Sequence, residues 1–241
     1  MMEQEQALLA RIIDLFAQRF DKRAVLRGGM VLRILGSPRY TNDLHYVFVP
    51  YRSKNDIVED ILDCLGQIEG AALTHSLHLK CLRVVIATAE ATVQVEAKVA
   101  REIAVAPVTT RLFSTPFGLP GRLINVVDLS VALAEKMAAW NDRRLIRDLY
   151  DIWFYLRMNV RPDLKVLHAR LIKPQYSKLL KIEKHFPGDT PSEFFDFLRG
   201  KCAALTDEHI AEELSSYLPP DELDGLSLMF RVAFAKLGDH V

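Results

Sequence analysis

Cysteine is scarce in this chain of 241 residues: three are present, Cys64, Cys81 and Cys202, scattered without a metal-ligand spacing. Reduced, partly buried thiols are the expectation. A net charge of either sign is missing as well. Thirty-one Lys and Arg residues balance 31 Asp and Glu residues, so no global basic field advertises nucleic acid and any such contact must come from a local patch. No apolar run approaches the length of a membrane span, and Met1-Met2-Glu3-Gln4-Glu5-Gln6 is polar and acidic rather than a basic leader, so a cytoplasmic protein with no membrane partner is expected. Internal repeats and low-complexity tracts are also absent. What remains is an ordinary globular composition, half of it hydrophobic, enough to bury a core in one large or two modest domains.

The most informative stretch is Arg27-Gly28-Gly29-Met30-Val31-Leu32-Arg33, followed by Arg39-Tyr40-Thr41-Asn42-Asp43-Leu44-His45-Tyr46-Val47-Phe48. Ala24-Val25-Leu26 reads as a short buried strand, and the two glycines open a helix from Met30 to Leu35 that Gly36-Ser37-Pro38 stops. Glycines let a backbone come close to something, and exposed amides at a helix start attract an anion such as phosphate. Asp43 heads the next strand, to Val49, and faces the same space. A carboxylate beside a phosphate cradle is how a nucleotide-bound divalent metal is usually held, because hard Mg²⁺ takes oxygen ligands.

Around this stretch the pattern is mixed, then helical. Leu8, Leu9, Ile12, Ile13 and Phe16 stand at helical spacing within residues 2–20. Ser53 with Asp56 three residues on is a capping-box variant before a second amphipathic stripe of Ile57, Ile61, Leu62, Leu65 and Ile68. Strands are predicted at Leu77 to Ala87 and Thr92 to Val99, with Gln94 and Glu96 on one face and Val93 and Val95 on the other. His75 and His78 fall in alternating strand sequence, where they read as surface rather than as a metal pair. Residues 106–122 read as a loop before a short strand at Leu123 to Val127, and Asp128 is placed to cap a helix running through Lys136 to Trp140. A helix from about Arg144 to Met158 follows. Beyond Arg161-Pro162 the pattern is helical, broken at Pro174, Pro187-Gly188, Pro191 and Pro219-Pro220. The division expected is an α/β domain over residues 1–122 and a helical domain over 123–241.

Arg27-Gly28-Gly29 with Arg39-Tyr40-Thr41-x-Asp43-Leu44 resembles the first motif of the AbiEii/AbiGii abortive-infection nucleotidyltransferase toxins, which read Lys-Gly-Gly-Thr-Ala-Leu and then Arg-x-Ser-x-Asp-Leu-Asp-Phe. A second block, from Val127-Asp128-Leu129 through Ala134-Glu135-Lys136 to Trp140 and then Arg143-Arg144-x-x-Arg147-Asp148-Leu149-Tyr150-Asp151, is similar to the family's Ala-Glu-Lys and Arg-Asp-x-x-Asp helices. The resemblance covers residues 24–157. It implies an α+β fold, a nucleotidyltransferase-like mixed sheet followed by an all-helical C-terminal domain. It implies transfer of a nucleoside monophosphate from an NTP to an acceptor hydroxyl, which in some relatives belongs to RNA. It also implies the toxin half of a bacterial toxin–antitoxin pair, with a cognate antitoxin as partner.

Carried onto this sequence, the resemblance makes Asp43, Glu96, Lys136 and Asp148 the catalytic candidates. Gly28, Gly29, Arg33, Arg39, Thr41, Lys136, Arg144, Arg147 and Asp151 become the nucleotide-binding candidates, and Asp43, His45 and Glu96 the ligands of a divalent metal, Mg or Mn. Either Glu96 or Asp148 serves as base. One departure stands out. The family has a second carboxylate two residues after the first, on the same strand face, and here that position is His45. Imidazole suits Zn, Mn or Fe better than Mg. The alternative reading is therefore a catalytically silent relative that binds nucleotide or protein. The basic helix has a plain alternative too: Arg144 with Asp148 and Arg147 with Asp151 are spaced to form ion pairs along one helix face.

Overall fold

The computed structural model describes residues 2–173, 186 and 188–237, and the chain forms two compact units, Met1–Asp128 and Leu129–Val241. Pro174 and Pro187, two of the helix breaks expected from the sequence, lie outside the described residues.

In the first unit the order is α1 (Met2–Phe20), β1 (Ala24–Arg27), α2 (Gly29–Ile34), β2 (Asp43–Phe48), α3 (Val58–Leu65), β3 (Ala72–Leu77), β4 (Leu82–Ala87), β5 (Thr92–Val99), β6 (Val105–Thr109), α4 (Arg111–Ser114) and β7 (Leu123–Val127). The strands make one mixed seven-stranded sheet, β3-β4-β5-β2-β1-β7-β6, in which β2 with β5 and β1 with β7 run parallel and the other pairs antiparallel.

The sheet's faces are set by an aromatic contact. All five apolar positions read as a helical stripe on α1 are buried. From that stripe Phe16 meets Tyr46 at 5.0 Å, and Phe20, one turn further on, meets Phe48 at 4.9 Å between ring centroids. Side chains alternate along a strand, so once Leu44, Tyr46 and Phe48 are buried on this side, Asp43 and His45 must face the other. Slipping β2 by one residue would put two charged groups under α1. Inside α1, the buried carboxylate of Asp14 accepts from Arg122 at 2.7 Å and from Gln18 at 2.6 Å, which ties the helix to the start of β7.

The structure corrects the sequence reading in three places here. The single strand expected from Leu77 to Ala87 is two, β3 and β4, joined by a turn closed by the His78 N–H donating to the Cys81 carbonyl at 2.8 Å. The turn has no glycine or proline to announce it. The Lys54 ammonium stands in for those signals, donating to the carbonyls of His78 and Leu79. His75 lies on the edge strand and His78 in the turn, both exposed. Residues 106–122 are not all loop, because β6 occupies Val105–Thr109 and α4 follows it. Pro107 is tolerated because β6 is an edge strand paired only with β7. β7 lies between β1 and β6, so the first unit runs to Asp128 rather than to 122.

Among the described residues the regular elements of the second unit are all helical, the main ones being α5 (Leu129–Arg143), α6 (Ile146–Arg157), α7 (Leu164–Leu171), α8 (Pro191–Ala203), α9 (Asp207–Leu214) and α10 (Leu226–Ala235). Three of these helices start on caps that helix starts favour: Asp163 accepts from the amides of Lys165 and Val166, Thr190 from Glu193, and Thr206 from His209. Pro191 occupies the first turn of α8, where its missing N–H costs nothing. An aromatic core holds the helices together, with Trp140 6.2 Å from Phe194 and Trp153 6.2 Å from Phe230. Cys64, Cys81 and Cys202 are free and buried. Among the described residues no helix is long and apolar enough to cross a membrane.

Phe16 touches three rings and is fully buried. Phe16→Ala is expected to destabilise the first unit by about 3–5 kcal/mol, the usual cost of emptying an aromatic site. Chemical denaturation checks this, and a loss below about 1 kcal/mol would show that the sheet's facing is fixed elsewhere.

Candidate functional site

On the polar face of the sheet a row of charges crosses four adjacent strands. The registers put Arg27 opposite His45, His45 opposite Glu96, and Glu96 opposite Arg83. Asp43 sits two residues before His45, on the same face and opposite Gln94. The His45 ring lies between the two carboxylates, with Nε2 2.8 Å from Asp43 Oδ2 and Nδ1 3.4 Å from Glu96 Oε2. The remaining oxygens are engaged as well. Thr41 donates to Asp43 Oδ1 at 2.9 Å, while Arg83 and Gln94 donate to Glu96 Oε1 at 2.8 and 3.2 Å.

This arrangement fixes the protonation of its members. Burial alone would push the His45 imidazolium down, but the hydrogen bonds and charges of Asp43 and Glu96 outweigh it and raise the ring to about 9. Glu96 is held at about 2, chiefly by the hydrogen bond from His45, against the opposing effect of burial and with help from Arg83. Repulsion between two carboxylates would raise Glu96, so its low value shows that the cations win.

The double glycine is used by side chains of this same unit. Gly28 has φ +81°, and a Cβ there would lie 3.2 Å from Cδ2 of His45. A Cβ on Gly29 would lie 2.6 Å from the Arg39 guanidinium and 3.4 Å from Thr41 Oγ1. The glycines thus seat His45 and Arg39. Arg39 is buried and donates to the Tyr40 carbonyl at 3.3 Å. Arg33 is turned to the backbone and to α1, donating to the Ser37 carbonyl at 2.8 Å and to Gln6 Oε1 at 3.2 Å. Gln6 in turn donates to the Thr41 carbonyl at 2.9 Å, so one amide on α1 braces the whole segment between α2 and β2.

The second unit has its own ionic cluster. Arg143, the last residue of α5, grips Asp148 through two bonds of 2.6 Å, and Lys136 lies 3.8 Å from Asp148 and pairs with Asp151. Both aspartates are buried, and two half-buried cations balance them. The pairs expected along one helix face, Arg144 with Asp148 and Arg147 with Asp151, give way to these. The reason is a break in the chain. Arg144 falls between α5 and α6 at φ 57° and stacks on Trp140 at 4.4 Å and Phe197 at 4.8 Å, where burial lowers its pKa to about 10. Arg147 faces α9 instead, its backbone N–H donating to Glu213 at 3.1 Å and its guanidinium 5.7 Å from the Tyr217 ring. The structure therefore gathers Lys136, Asp148 and Asp151, and sets Arg144 and Arg147 elsewhere in the unit.

Two participants escaped the sequence reading. Arg83 alternates onto the polar face of β4, a signal lost when β3 and β4 were read as one strand. Arg143 stands five residues before Asp148, a spacing with no helical meaning until a turn intervenes.

The family model described as nucleotidyl transferase AbiEii toxin, type IV toxin–antitoxin system, matches residues 8–226. The chain belongs to the AbiEii nucleotidyltransferase toxin family. Among solved structures it is similar to MenT4, a nucleotidyltransferase toxin from Mycobacterium tuberculosis H37Rv, with 15% identity, a TM-score of 0.63, and coverage of 98% of this chain and 83% of that one. JHP933 from Helicobacter pylori shares 13% identity with a TM-score of 0.56, over 99% of this chain and 92% of that one. At these identities the likeness is one of fold. No curated protein matches the chain.

The AbiEii family generally uses an NTP and a divalent metal. The residues here do not fit that ion as they stand. The two nitrogens of His45 face Asp43 Oδ2 and Glu96 Oε2, so the ring stands between the carboxylates where the ion would lie, and the other two oxygens accept from Thr41 and from Arg83 and Gln94, while Mg²⁺ demands several oxygen ligands in octahedral array. Among the described residues no group of three or more His, Cys, Asp or Glu side chains is arranged to hold a metal.

Two measurements test these assignments. The stability due to His45 is fully present below its ordinary value of 6.5 and is lost as pH rises through about 9, whereas that due to Glu96 is present above 4.5 and lost as pH falls through about 2. Thermal midpoints of the wild type should therefore decline from near neutrality toward alkaline pH more steeply than those of His45→Gln; parallel curves would mean that the ring is not held as a cation. In the second unit, Asp148→Ala leaves Arg143 without its bidentate partner and should cost about 3 kcal/mol, the lower end for a broken buried pair because Arg143 is partly exposed. Unchanged unfolding in denaturant would count against the cluster as a structural element.

Proposed function

We propose that this AbiEii-family chain binds a nucleoside triphosphate at the polar face of the sheet in its first unit and transfers the nucleoside monophosphate to an acceptor hydroxyl. The observation that supports this is the β2–β5 register, which sets Asp43 and Glu96 on either side of His45 and beside Gly28. We further propose RNA as the acceptor class, a cognate antitoxin as the protein partner and the cytoplasm as the compartment. The toxin role of the family supports these choices.

In such a transfer the hydroxyl oxygen attacks the α-phosphorus and loses its proton to water, the bond to pyrophosphate breaks, and negative charge gathers on the leaving oxygens. Fixed cations that already face that charge lower the barrier without reorganising. Arg83 and His45 are the cations proposed for this part. Glu96, held at about 2, is a poor acceptor for the hydroxyl proton, and Asp148 accepts both bonds of Arg143, so neither is assigned as the base. A second reading is favoured by one observation, the His45 ring lying between the two carboxylates. On that reading the chain binds nucleotide without transferring it.

Calorimetry with each of the four triphosphates, followed by transfer of α-phosphate label to total cellular RNA, separates the readings. At least one triphosphate should bind and label RNA. Arg83→Ala should weaken that binding about tenfold while leaving nucleoside binding nearly unchanged, because the lost interaction is with charge. Binding without transfer would establish the second reading. A folded protein that binds no triphosphate would overturn both.

A further inference from the structure

The AbiEii family generally uses a divalent ion, and the disagreement between that expectation and this site has a physical content of its own. Two carboxylates placed close together on adjacent strands repel one another, and a cation between them relieves that repulsion. Here the space is filled by a ring. His45 reaches Asp43 with one nitrogen and Glu96 with the other, at 2.8 and 3.4 Å. Arg83 closes the outer side of Glu96 at 2.8 Å, and Thr41 closes the outer side of Asp43 at 2.9 Å.

The ring is also seated from below. Gly28 approaches its Cδ2 so closely that any side chain at that position would press on it at 3.2 Å. The backbone at Gly28 is left-handed, φ +81°, which favours the one residue that leaves this room. Strand register, glycine and hydrogen bonds thus agree on one position for the imidazole. A metal captured between Asp43 and Glu96 would have to displace it.

We infer that His45, backed by Arg83, occupies the place of the divalent ion in this chain, so that Asp43 and Glu96 are closed by the protein's own cations and capture no Mg²⁺ or Mn²⁺. The single change from a second carboxylate to His45 replaces a mobile cofactor with a fixed group. The inference bears on the same face as the function proposed above, yet it rests on that proposal only where nucleotide is concerned. Its metal arm needs no nucleotide, and the two therefore fail separately.

The test is a titration of the nucleotide-free full-length protein with Mn²⁺, followed by electron paramagnetic resonance, on the wild type, His45→Asp, His45→Asn and Asp43→Asn. The wild type should leave Mn²⁺ free in solution. His45→Asp supplies an oxygen ligand on the same strand face and should bind one equivalent, an effect lost when Asp43→Asn is added. His45→Asn, which removes the cation with less change in charge, should gain weaker binding and keeps the test decisive if the aspartate variant unfolds. Wild-type protein that takes up one Mn²⁺, with loss of that site in Asp43→Asn, overturns the inference. So does a folded His45→Asp protein that takes up none, because something other than the imidazole would then exclude the metal. In calorimetry, triphosphate affinity of the wild type should differ by less than about threefold between EDTA and Mg²⁺. A larger dependence on Mg²⁺ counts against the inference, whereas absence of triphosphate binding in both counts only against the function proposed above.

Discussion

Two carboxylates that share a sheet face repel one another, and the first unit is organised around the cations that answer this repulsion. Asp43 and Glu96 are brought together by the pairing of β2 with β5, and β4 and β1 bring Arg83 and Arg27 to the same row. His45 is the member that touches both acids. The row alternates in sign from Arg83 through Glu96 to His45, so each group is stabilised by its neighbour across the strands, in the way that opposite charges placed directly opposite support a sheet. The aromatic contacts of α1 on the far side hold β2 in the one register that makes this possible.

The elements nearest the site were the most legible in the sequence. The glycine pair, the strand headed by Asp43 and the alternation that separates Glu96 from Val95 all rest on short-range rules, a turn residue and a period of two, which a single sequence displays. Less legible was anything decided by a distant partner. The β3–β4 turn is held by Lys54, far away in sequence, and β6 exists only because β7 supplies its hydrogen bonds. The glycines show the same limit in another form. Close approach was readable from residues 28 and 29, but that the His45 and Arg39 side chains lie against them depends on the strand pairing.

The helical unit carries a comparable lesson about charge. Arg144, Arg147, Asp148 and Asp151 looked like partners along one helix beginning near Arg144, because spacings of three and four are the usual signature. Arg144 instead lies in the connection before α6, and the partners of Asp148 and Asp151 are Arg143 and Lys136 on α5. Arg144 itself is spent on aromatic faces, where a delocalised guanidinium is less costly to bury than an ammonium. The buried acids and their cations bind α5 to α6 as a unit whose stability depends on charge balance as well as on packing.

The place of β7 has a consequence for the order in which the first unit is completed during synthesis. The strands that carry the charged row, β1, β2, β4 and β5, have all emerged by Val99, and their mutual pairings need nothing that comes later. The outer edge of β1 is different. Its partner begins only at Leu123, after β6 and α4, and β6 cannot pair until the same strand arrives. A growing chain therefore holds a finished polar face beside an open, apolar strand edge, the kind of surface on which nascent chains pair with the wrong neighbour. One short strand closes that exposure, and it is the last piece of the unit to be made.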